Sequence, residues 1–226
     1  MRKLKEFKDI HKDEDIYILA SGKSVDFIDS SFFNNKIVIG INQVYKKTFC
    51  KYLLRKEAEL IKECIQQSPK STFFISKGTC GGENEINYNL LQSLHLINNN
   101  NIVVYDHLQN ITILPNTLPP EPKLIVSHSS ITTGIHLAAY MGAKNIILVG
   151  HDCGTIDEQC NFTGYHTEST YKIAHTTGEV GYRNWIKVIE HHTIQLKKMI
   201  LDTFNANIYS LNPFINFGLE GHVYKR

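Results

Sequence analysis

Short runs of β-branched and aromatic residues recur along the first half of this 226-residue chain, with polar turns between them. Runs of roughly four to eight such residues are typical of β-strands. The first run ends at Ala20, where Ser21-Gly22-Lys23-Ser24 forms a turn before an apolar helix start at Val25. We predict a helix over 57–67 and strands at 15–20, 37–41, 51–54, 72–75 and 102–105.

The alternation of elements is clearest in the second half. Residues 124–126 predict a strand, 131–141 a helix and 145–150 another strand, followed by a helix over 183–204 and a strand at 206–211. Alternating strands and helices predict a Rossmann-like α/β fold, with a mostly parallel sheet covered by helices on both faces. Residues 151–182 are rich in His, Thr, Gly and Tyr without apolar periodicity, so we predict a long lid loop there.

The length of 226 residues favours one domain over residues 1–226. The chain is 42% hydrophobic and 20% charged, which is typical of globular proteins rather than disordered ones. The formal net charge is only +2, and the sequence has no dense cluster of basic residues of the kind that binds nucleic acid. We therefore expect no nucleic-acid partner. We interpret the basic run of Arg2, Lys3, Lys5, Lys8 and Lys12 as a solvated lead-in, which leaves contact with a membrane surface open.

The cellular location follows from what the sequence lacks. No apolar stretch reaches the ~20 residues of a membrane span, and no signal-peptide core follows the basic start. The 5 cysteines are odd in number and form no CxxC pair, which fits free thiols in a reducing compartment. We expect a cytoplasmic protein, either free or at the inner face of the membrane, and a homo-oligomer remains an option.

Two loops combine features that bind anions. Ser21-Gly22-Lys23-Ser24 follows the first strand, where backbone amides at a turn can hold a phosphate, although the spacing of a P-loop is missing and a plain capped turn is equally consistent. Ser129 and Ser130 precede Thr132, Thr133 and Gly134 at the start of a helix whose dipole favours a phosphate or carboxylate. The alternative is ordinary helix capping by either serine.

Asp152 follows the strand at 145–150, so it should face the ligand crevice and accept hydrogen bonds from a ribose or sugar, unless it caps the next turn. His151, Cys153, Cys160, His166 and His175 match no closed zinc pattern, so we predict no metal site.

His166, His175 and Tyr165 lie in the predicted lid. A histidine in such a loop can transfer a proton near neutral pH, and a tyrosine can donate a hydrogen bond to a phosphate leaving group.

Several of these motifs together resemble the bacterial single-domain sialyltransferases that use CMP-sialic acid. The sequence is also similar to a broader group of motility accessory factor proteins and archaeal 6-hydroxymethylpterin diphosphokinases. The resemblance lies in the following segments: Ile18 to Ser24, Gly40-Ile41-Asn42-Gln43, Ile131-Thr132-Thr133-Gly134, Gly142, Leu148 to Asp152 and Leu211-Asn212-Pro213.

The resemblance implies a Rossmann-like fold and a CMP-sugar donor held by the first loop, by Asn42 and by Thr133-Gly134. It implies inversion without a metal or other cofactor, with a histidine base for which His175 is the counterpart by order and His166 the rival. A second donor-contacting asparagine of that family falls near Arg55 and Lys56 here.

We therefore expect an inverting, sialyltransferase-like glycosyltransferase that acts on a glycan hydroxyl, in lipopolysaccharide or other glycan synthesis. Two alternatives stay open. An ATP-dependent diphosphokinase would need Mg²⁺ held by carboxylates such as Asp152, Asp157 or Glu158, and a binding module would keep the nucleotide pocket without chemistry.

Overall fold

A parallel sheet of 9 strands runs through the computed structural model of the protein. The structure describes residues 2–55, 58, 61–78, 85–109, 114, 116–118, 123–126, 129–154, 156, 159–165 and 178–211. The strands are β1 (Arg2–Lys3), β2 (Asp15–Leu19), β3 (Ile37–Ile41), β4 (Tyr52–Arg55), β5 (Thr72–Ser76), β6 (Ile102–Gln109), β7 (Lys123–Val126), β8 (Asn145–Val149) and β9 (Asn207–Ser210).

The order of the strands reverses once within the sheet. The path is β1-β6-β5-β4-β3-β2-β8-β9, and β7 pairs with the far part of β6. The chain therefore adds β3 to β6 on one side of β2, and β8 and β9 on the other. In sheets of this kind, ligands bind outside the carboxyl ends of the strands at the point of reversal, which here lies between β2 and β8.

Apolar side chains of the strands alternate between two cores, one on each face of the sheet. The first core is covered by α3 (Ser130–Tyr140) and α4 (Gly178–Phe204). The second core, on the opposite face, is covered by α1 (Ile61–Gln67), α2 (Ile86–Ser93) and three 3-10 helices, Lys23–Phe27, Ser30–Phe33 and Val44–Lys46. Because both faces are covered, the strands are apolar along almost their whole length.

Helix α3 is the central element of the first core. Its residues from Ile131 to Tyr140 are all buried, so the helix lies inside the protein rather than on its surface. A Cβ atom at Gly134 would lie 3.1 Å from Ile41 and 3.3 Å from Ile18, which shows how closely the helix approaches β2 and β3. The amide of Ile125 donates to Nδ1 of His136 at 3.0 Å and fastens the helix to β7.

The N-terminal segment is part of the fold, although the four lysines of its basic run are exposed as predicted. Leu4 and Phe7 are buried in the first core, and the guanidinium of Arg2 lies 4.1 Å from the centre of the Phe7 ring. The amides of Asp9, His11 and Asp13 donate to the carbonyls of Tyr140, Met141 and Gly142 at 3.1, 2.8 and 2.9 Å. The segment therefore satisfies carbonyls at the C-terminal end of α3.

The structure confirms the predicted α/β fold with a mostly parallel sheet. The predicted strands agree to within two residues, except that β6 continues to Gln109. Helix α4 begins at Gly178 instead of residue 183, so the predicted lid is shorter, and α2 was not predicted. Within the described ranges, no helix is long and apolar enough to cross a membrane.

Candidate functional site

The loop after β2, residues 20–24, touches the loop after β8 at the reversal point. We call it the first loop. The amide of Ala20 donates to the carbonyl of Val149 at 2.8 Å, and the amide of Gly22 donates to the carbonyl of Gly150 at 2.8 Å. A Cβ atom at Gly22 would lie 2.4 Å from the Gly150 oxygen and 2.5 Å from Cγ of Asp152. Only glycine fits here, so Gly22 lets the first loop lie directly against the loop after β8.

Asp152 is buried and its carboxylate caps the first loop. One oxygen accepts from the amide of Ser24 at 2.7 Å and the other from the Ser24 hydroxyl. Both side chains were predicted to contact a donor, and Asp152 was alternatively predicted to cap a turn. Because the structure pairs the two residues, their described contacts stabilise the loop after β2.

A segment that we call the strap, residues 161–165, lies along the first loop. Asn161 forms an antiparallel bridge with Gly22, and the amide of Phe162 donates to the carbonyl of Ser21 at 3.0 Å. The hydroxyl of Ser21 donates to Oδ1 of Asn161 at 3.1 Å. Phe162 is buried in the second core. The strap therefore covers the first loop at the carboxyl edge of the sheet.

Lys23 points to the strap and to Asp26. Its ammonium lies 2.9 Å from Oδ2 of Asp26 and 3.2 Å from the Thr163 hydroxyl, and the ammonium of Lys47 lies 2.5 Å from Oδ1 of the same carboxylate. Burial of Asp26 opposes ionisation, but hydrogen bonds from Lys47, Lys23 and Thr163 outweigh it and hold its pKa well below the usual range. Asp26 is therefore ionised at neutral pH.

Asn42 stands at the end of β3 with a left-handed backbone, at a φ of 58°. Its amide N–H donates to the carbonyl of Leu54 at 3.1 Å, and its side-chain Nδ2 lies 3.5 Å from the hydroxyl of Tyr165. The Tyr165 ring packs edge-on against Phe162, with centroids 5.3 Å apart. Two residues predicted independently, Asn42 and Tyr165, thus meet at the carboxyl edge.

The start of α3 lies at the same edge, because Gly134 packs against Ile41 one residue before Asn42. Ser129 caps the helix, and its carbonyl accepts from the Thr132 hydroxyl at 2.8 Å. Thr132 and Thr133 are fully buried, whereas Ser129 and Ser130 are half-buried. A ligand at this end would meet the serines, while Thr132, Thr133 and Gly134 shape the helix start and its packing.

Arg55 ends β4, near where the resemblance implied an asparagine. It is buried, and its Nη1 donates to Sγ of Cys64 at 3.3 Å. This contact directs the guanidinium toward α1 on the second core.

The described surroundings of His151 and Cys153 keep both side chains neutral at pH 7. Nε2 of His151 lies 2.9 Å from the Thr193 hydroxyl, which itself donates to the carbonyl of Ile189, and 3.6 Å from Sγ of Cys153. Burial lowers the pKa of His151 to about 4. Burial, with the carboxylates of Glu190 and Asp152, raises the pKa of Cys153 to about 12, so its thiol stays protonated.

The structure places ten of the twelve predicted site residues, and the two histidines, His166 and His175, lie outside the described residues. The sequence reasoning missed Asp26, Lys47, Asn161 and Thr163, which hold the strap. Their contacts join residues up to 140 positions apart in the sequence, and no local pattern signals such pairs. Among the described residues, no group of three or more His, Cys, Asp or Glu could hold a metal ion.

These side chains together offer hydroxyl and amide groups from Ser21, Asn42, Ser130 and Tyr165 at one edge. Such groups suit a ligand with many hydroxyls and a phosphate, which they can hold by hydrogen bonds without a carboxylate.

Comparison with known proteins shows relatives by structure alone. No family model and no curated protein matches the sequence. One similar structure is the sialyltransferase CstII from Campylobacter jejuni in complex with a substrate analogue, cytidine-5′-monophosphate. It is 15% identical, with 93% of this chain and 85% of that chain covered at a TM-score of 0.50.

A second similar structure is the monofunctional α-2,3-sialyltransferase Cst-I from the same organism. It is 13% identical, with 88% of this chain and 76% of that chain covered at a TM-score of 0.50. At such identities the likeness establishes the fold and leaves function to the site. The chain thus shares its fold with these two sialyltransferases, and its candidate site lies at the edge of the sheet where folds of this type bind ligands.

Proposed function

We propose that this protein is an inverting glycosyltransferase that moves a sugar, of the sialic acid type, from a CMP-activated donor to a glycan hydroxyl. The observation that supports it best is the meeting of Asn42 and Tyr165 at the carboxyl edge, beside the reversal point between β2 and β8. The shared fold with two sialyltransferases supports the same class of reaction.

The donor would lie along the carboxyl edge of β2 and β3. Asn42 has a side-chain amide that can both donate and accept, which suits the ribose or base of a nucleoside. Ser21 would face the donor from the first loop, and the start of α3 at Ser129 and Ser130 would face its phosphate, because free amides and the helix dipole favour an anion there.

The reaction would proceed by direct displacement. A histidine, His175 or its rival His166, accepts the proton of the acceptor hydroxyl as that oxygen forms a bond to the anomeric carbon. The bond from this carbon to the phosphate oxygen breaks with both electrons on the oxygen, and CMP departs. Tyr165 would donate a hydrogen bond to the departing phosphate, where negative charge develops. No step needs a metal in this scheme.

The test is binding of CMP by isothermal titration calorimetry, in buffer with EDTA and then with Mg²⁺. We expect wild-type protein to bind CMP equally well in both buffers. Asn42→Ala should weaken binding about threefold to tenfold, the effect of losing one hydrogen bond. Asn35→Ala is the matched control, because Asn35 also has a left-handed backbone, at a φ of 61°, but precedes β3 at the opposite edge.

Two results would contradict the proposal. Wild-type protein that binds ATP only with Mg²⁺, and not CMP, would favour diphosphate transfer. CMP binding that both variants retain in full would place the nucleotide elsewhere. With a CMP-sugar and an acceptor, His175→Ala and His166→Ala then show which histidine is the base, since losing a general base slows turnover about 10²- to 10⁴-fold.

A further inference from the structure

The carboxylate of Asp26 gathers four donors from three separate parts of the chain. Its Oδ2 accepts from the amide and the hydroxyl of Thr163 at 2.9 and 2.8 Å and from Lys23 at 2.9 Å. Its Oδ1 accepts from Lys47 at 2.5 Å. Asp26 itself lies in the 3-10 helix Lys23–Phe27 that follows the first loop. It therefore ties the strap to the first loop and to the loop after β3.

We propose that Asp26 is a positioning residue that fastens the strap and thereby holds Tyr165 beside Asn42. Tyr165 lies two residues beyond Thr163, where its ring packs on Phe162 at the second core and its hydroxyl lies 3.5 Å from the Asn42 amide. The consequence for ligand binding rests on the function proposed above, whereas the fastening of the strap does not.

The strap has further attachments at Asn161 and Phe162, and Lys23 also donates to the Thr163 hydroxyl. Phe162 anchors its beginning in the second core, and the Phe162 amide donates to the carbonyl of Ser21. After Phe162 the strap becomes exposed at Thr163 and Gly164. The Asp26 carboxylate thus holds both the amide and the hydroxyl of Thr163, in the exposed part of the strap between Phe162 and Tyr165.

An alternative role for Asp26 predicts the opposite result. If Asp26 only offset the charges of Lys23 and Lys47, its removal would leave two positive groups at the site. An anionic nucleotide would then bind more tightly, because opposite charges attract across a short distance. If Asp26 positions the strap, its removal weakens binding although the site gains positive charge. The sign of the change in affinity separates the two roles.

The variants are Asp26→Asn and Thr163→Val, with Asp29→Asn as the matched control. Asp29 lies three residues further on and loses the same charge, but its carboxylate caps Ser31 and does not contact the strap. Thr163→Val removes one of the four donors without changing any charge, and it serves as well if Asp26→Asn does not fold. For each protein we would measure hydrogen–deuterium exchange of the strap amides, CMP affinity and the melting temperature.

For Asp26→Asn we expect exchange of the Thr163 amide to accelerate about tenfold or more, since a charge-assisted hydrogen bond is lost. We expect CMP affinity to fall about tenfold for Asp26→Asn and less for Thr163→Val, while Asp29→Asn matches wild type in both measurements. Exchange in β2 and β8 should stay unchanged, which separates a loosened strap from a loosened protein.

Three outcomes would overturn the inference: unchanged strap exchange in Asp26→Asn, CMP affinity that rises, or strap exchange that accelerates with CMP affinity intact. Wild-type protein that binds no CMP would contradict the proposed function, and the exchange of Thr163 would then still decide whether Asp26 fastens the strap.

Discussion

Individual residues at the carboxyl edge allow the chain to turn sharply at the ends of β3 and β8. Asn42, Gly150 and Cys153 adopt left-handed backbones at φ values of 58°, 68° and 45°. Asparagine and glycine tolerate this region better than other residues, because of a short polar side chain or the lack of one. The chain can therefore turn sharply after β3 and β8 and keep polar groups near the strand ends.

Gly22→Ala should destabilise the contact between the first loop and the loop after β8. Its Cβ would lie 2.4 Å from the Gly150 carbonyl oxygen, a backbone atom that cannot move without shifting the end of β8. We expect the free energy of unfolding to fall by about 1–3 kcal/mol, as for overpacking in a core. Urea unfolding would measure it. Gly154→Ala is the control, because its Cβ would come no closer than 3.7 Å to another residue, and equal losses in the two variants would contradict the explanation.

The sequence predicted the types of residue at this edge better than their contacts. Ser21, Gly22 and Asn42 stand out because serine, glycine and asparagine after a strand mark a turn, and Tyr165 because a tyrosine in a polar loop can donate a hydrogen bond. The exact partner of each could not be predicted, because Asp152 and Ser24 are 128 positions apart and either one could have served a ligand or a cap. Only the folded chain shows that the two side chains bond to each other.

At the scale of elements, periodicity predicted the strands well because both faces of the sheet are buried. The two-residue strand β1 was missed, since Arg2 and Lys3 have no apolar pattern of their own. Helix α2, with the sequence Ile-Asn-Tyr-Asn-Leu-Leu-Gln-Ser, was missed because its asparagines favour turns. Packing of Leu91 in the second core, with Asn87 bonded to the carbonyls of Ser76 and Gly78, stabilises it instead.

Two buried histidines join helices to the sheet and should make stability depend on pH. His136 fastens α3 to β7, His151 fastens the end of β8 to α4, and burial lowers the pKa of each from 6.5 to about 4. As pH falls below 6.5, the unfolded chain binds protons at these positions and the folded protein does not. Stability is therefore lost between about pH 6.5 and 4, by up to about 1.4 kcal/mol per pH unit for each histidine.

His136→Gln should show a shallower loss than wild type over this range, because one of the two groups no longer titrates. Urea unfolding at pH 7, 6 and 5 would give the slopes. His191→Gln is the control, since His191 lies exposed on α4 and its replacement should leave the slope unchanged. A wild-type slope in His136→Gln would mean that the buried imidazole does not cause the effect.

At the scale of the whole molecule, the N-terminal segment and the candidate site lie at opposite edges of the sheet, so we expect changes in stability at one edge to leave ligand binding at the other unchanged. The N-terminal segment closes the amino edge, where Phe7 packs edge-on against Tyr52 and Phe74 and His11 bonds to the Tyr52 hydroxyl at 2.8 Å. The candidate site lies at the carboxyl edge. The lysines of the basic run are exposed as predicted, but the sequence did not reveal that Leu4 and Phe7, spaced among them, anchor the segment in the first core.

Phe7→Ala should therefore separate the two properties. Emptying a fully buried phenylalanine site costs about 3–5 kcal/mol, so the melting temperature should fall clearly. Well below that temperature, the folded protein should bind whatever nucleotide the wild type binds with the same affinity, because no described contact of Phe7 reaches the carboxyl edge. Ile10→Ala, at a residue 41% exposed in the same segment, should change neither property. Calorimetric titration at low temperature, beside thermal unfolding, would measure both. A matching loss of affinity in Phe7→Ala would show that the two edges are coupled through β4 and α3, and the site would then depend on the whole sheet rather than on its own loops.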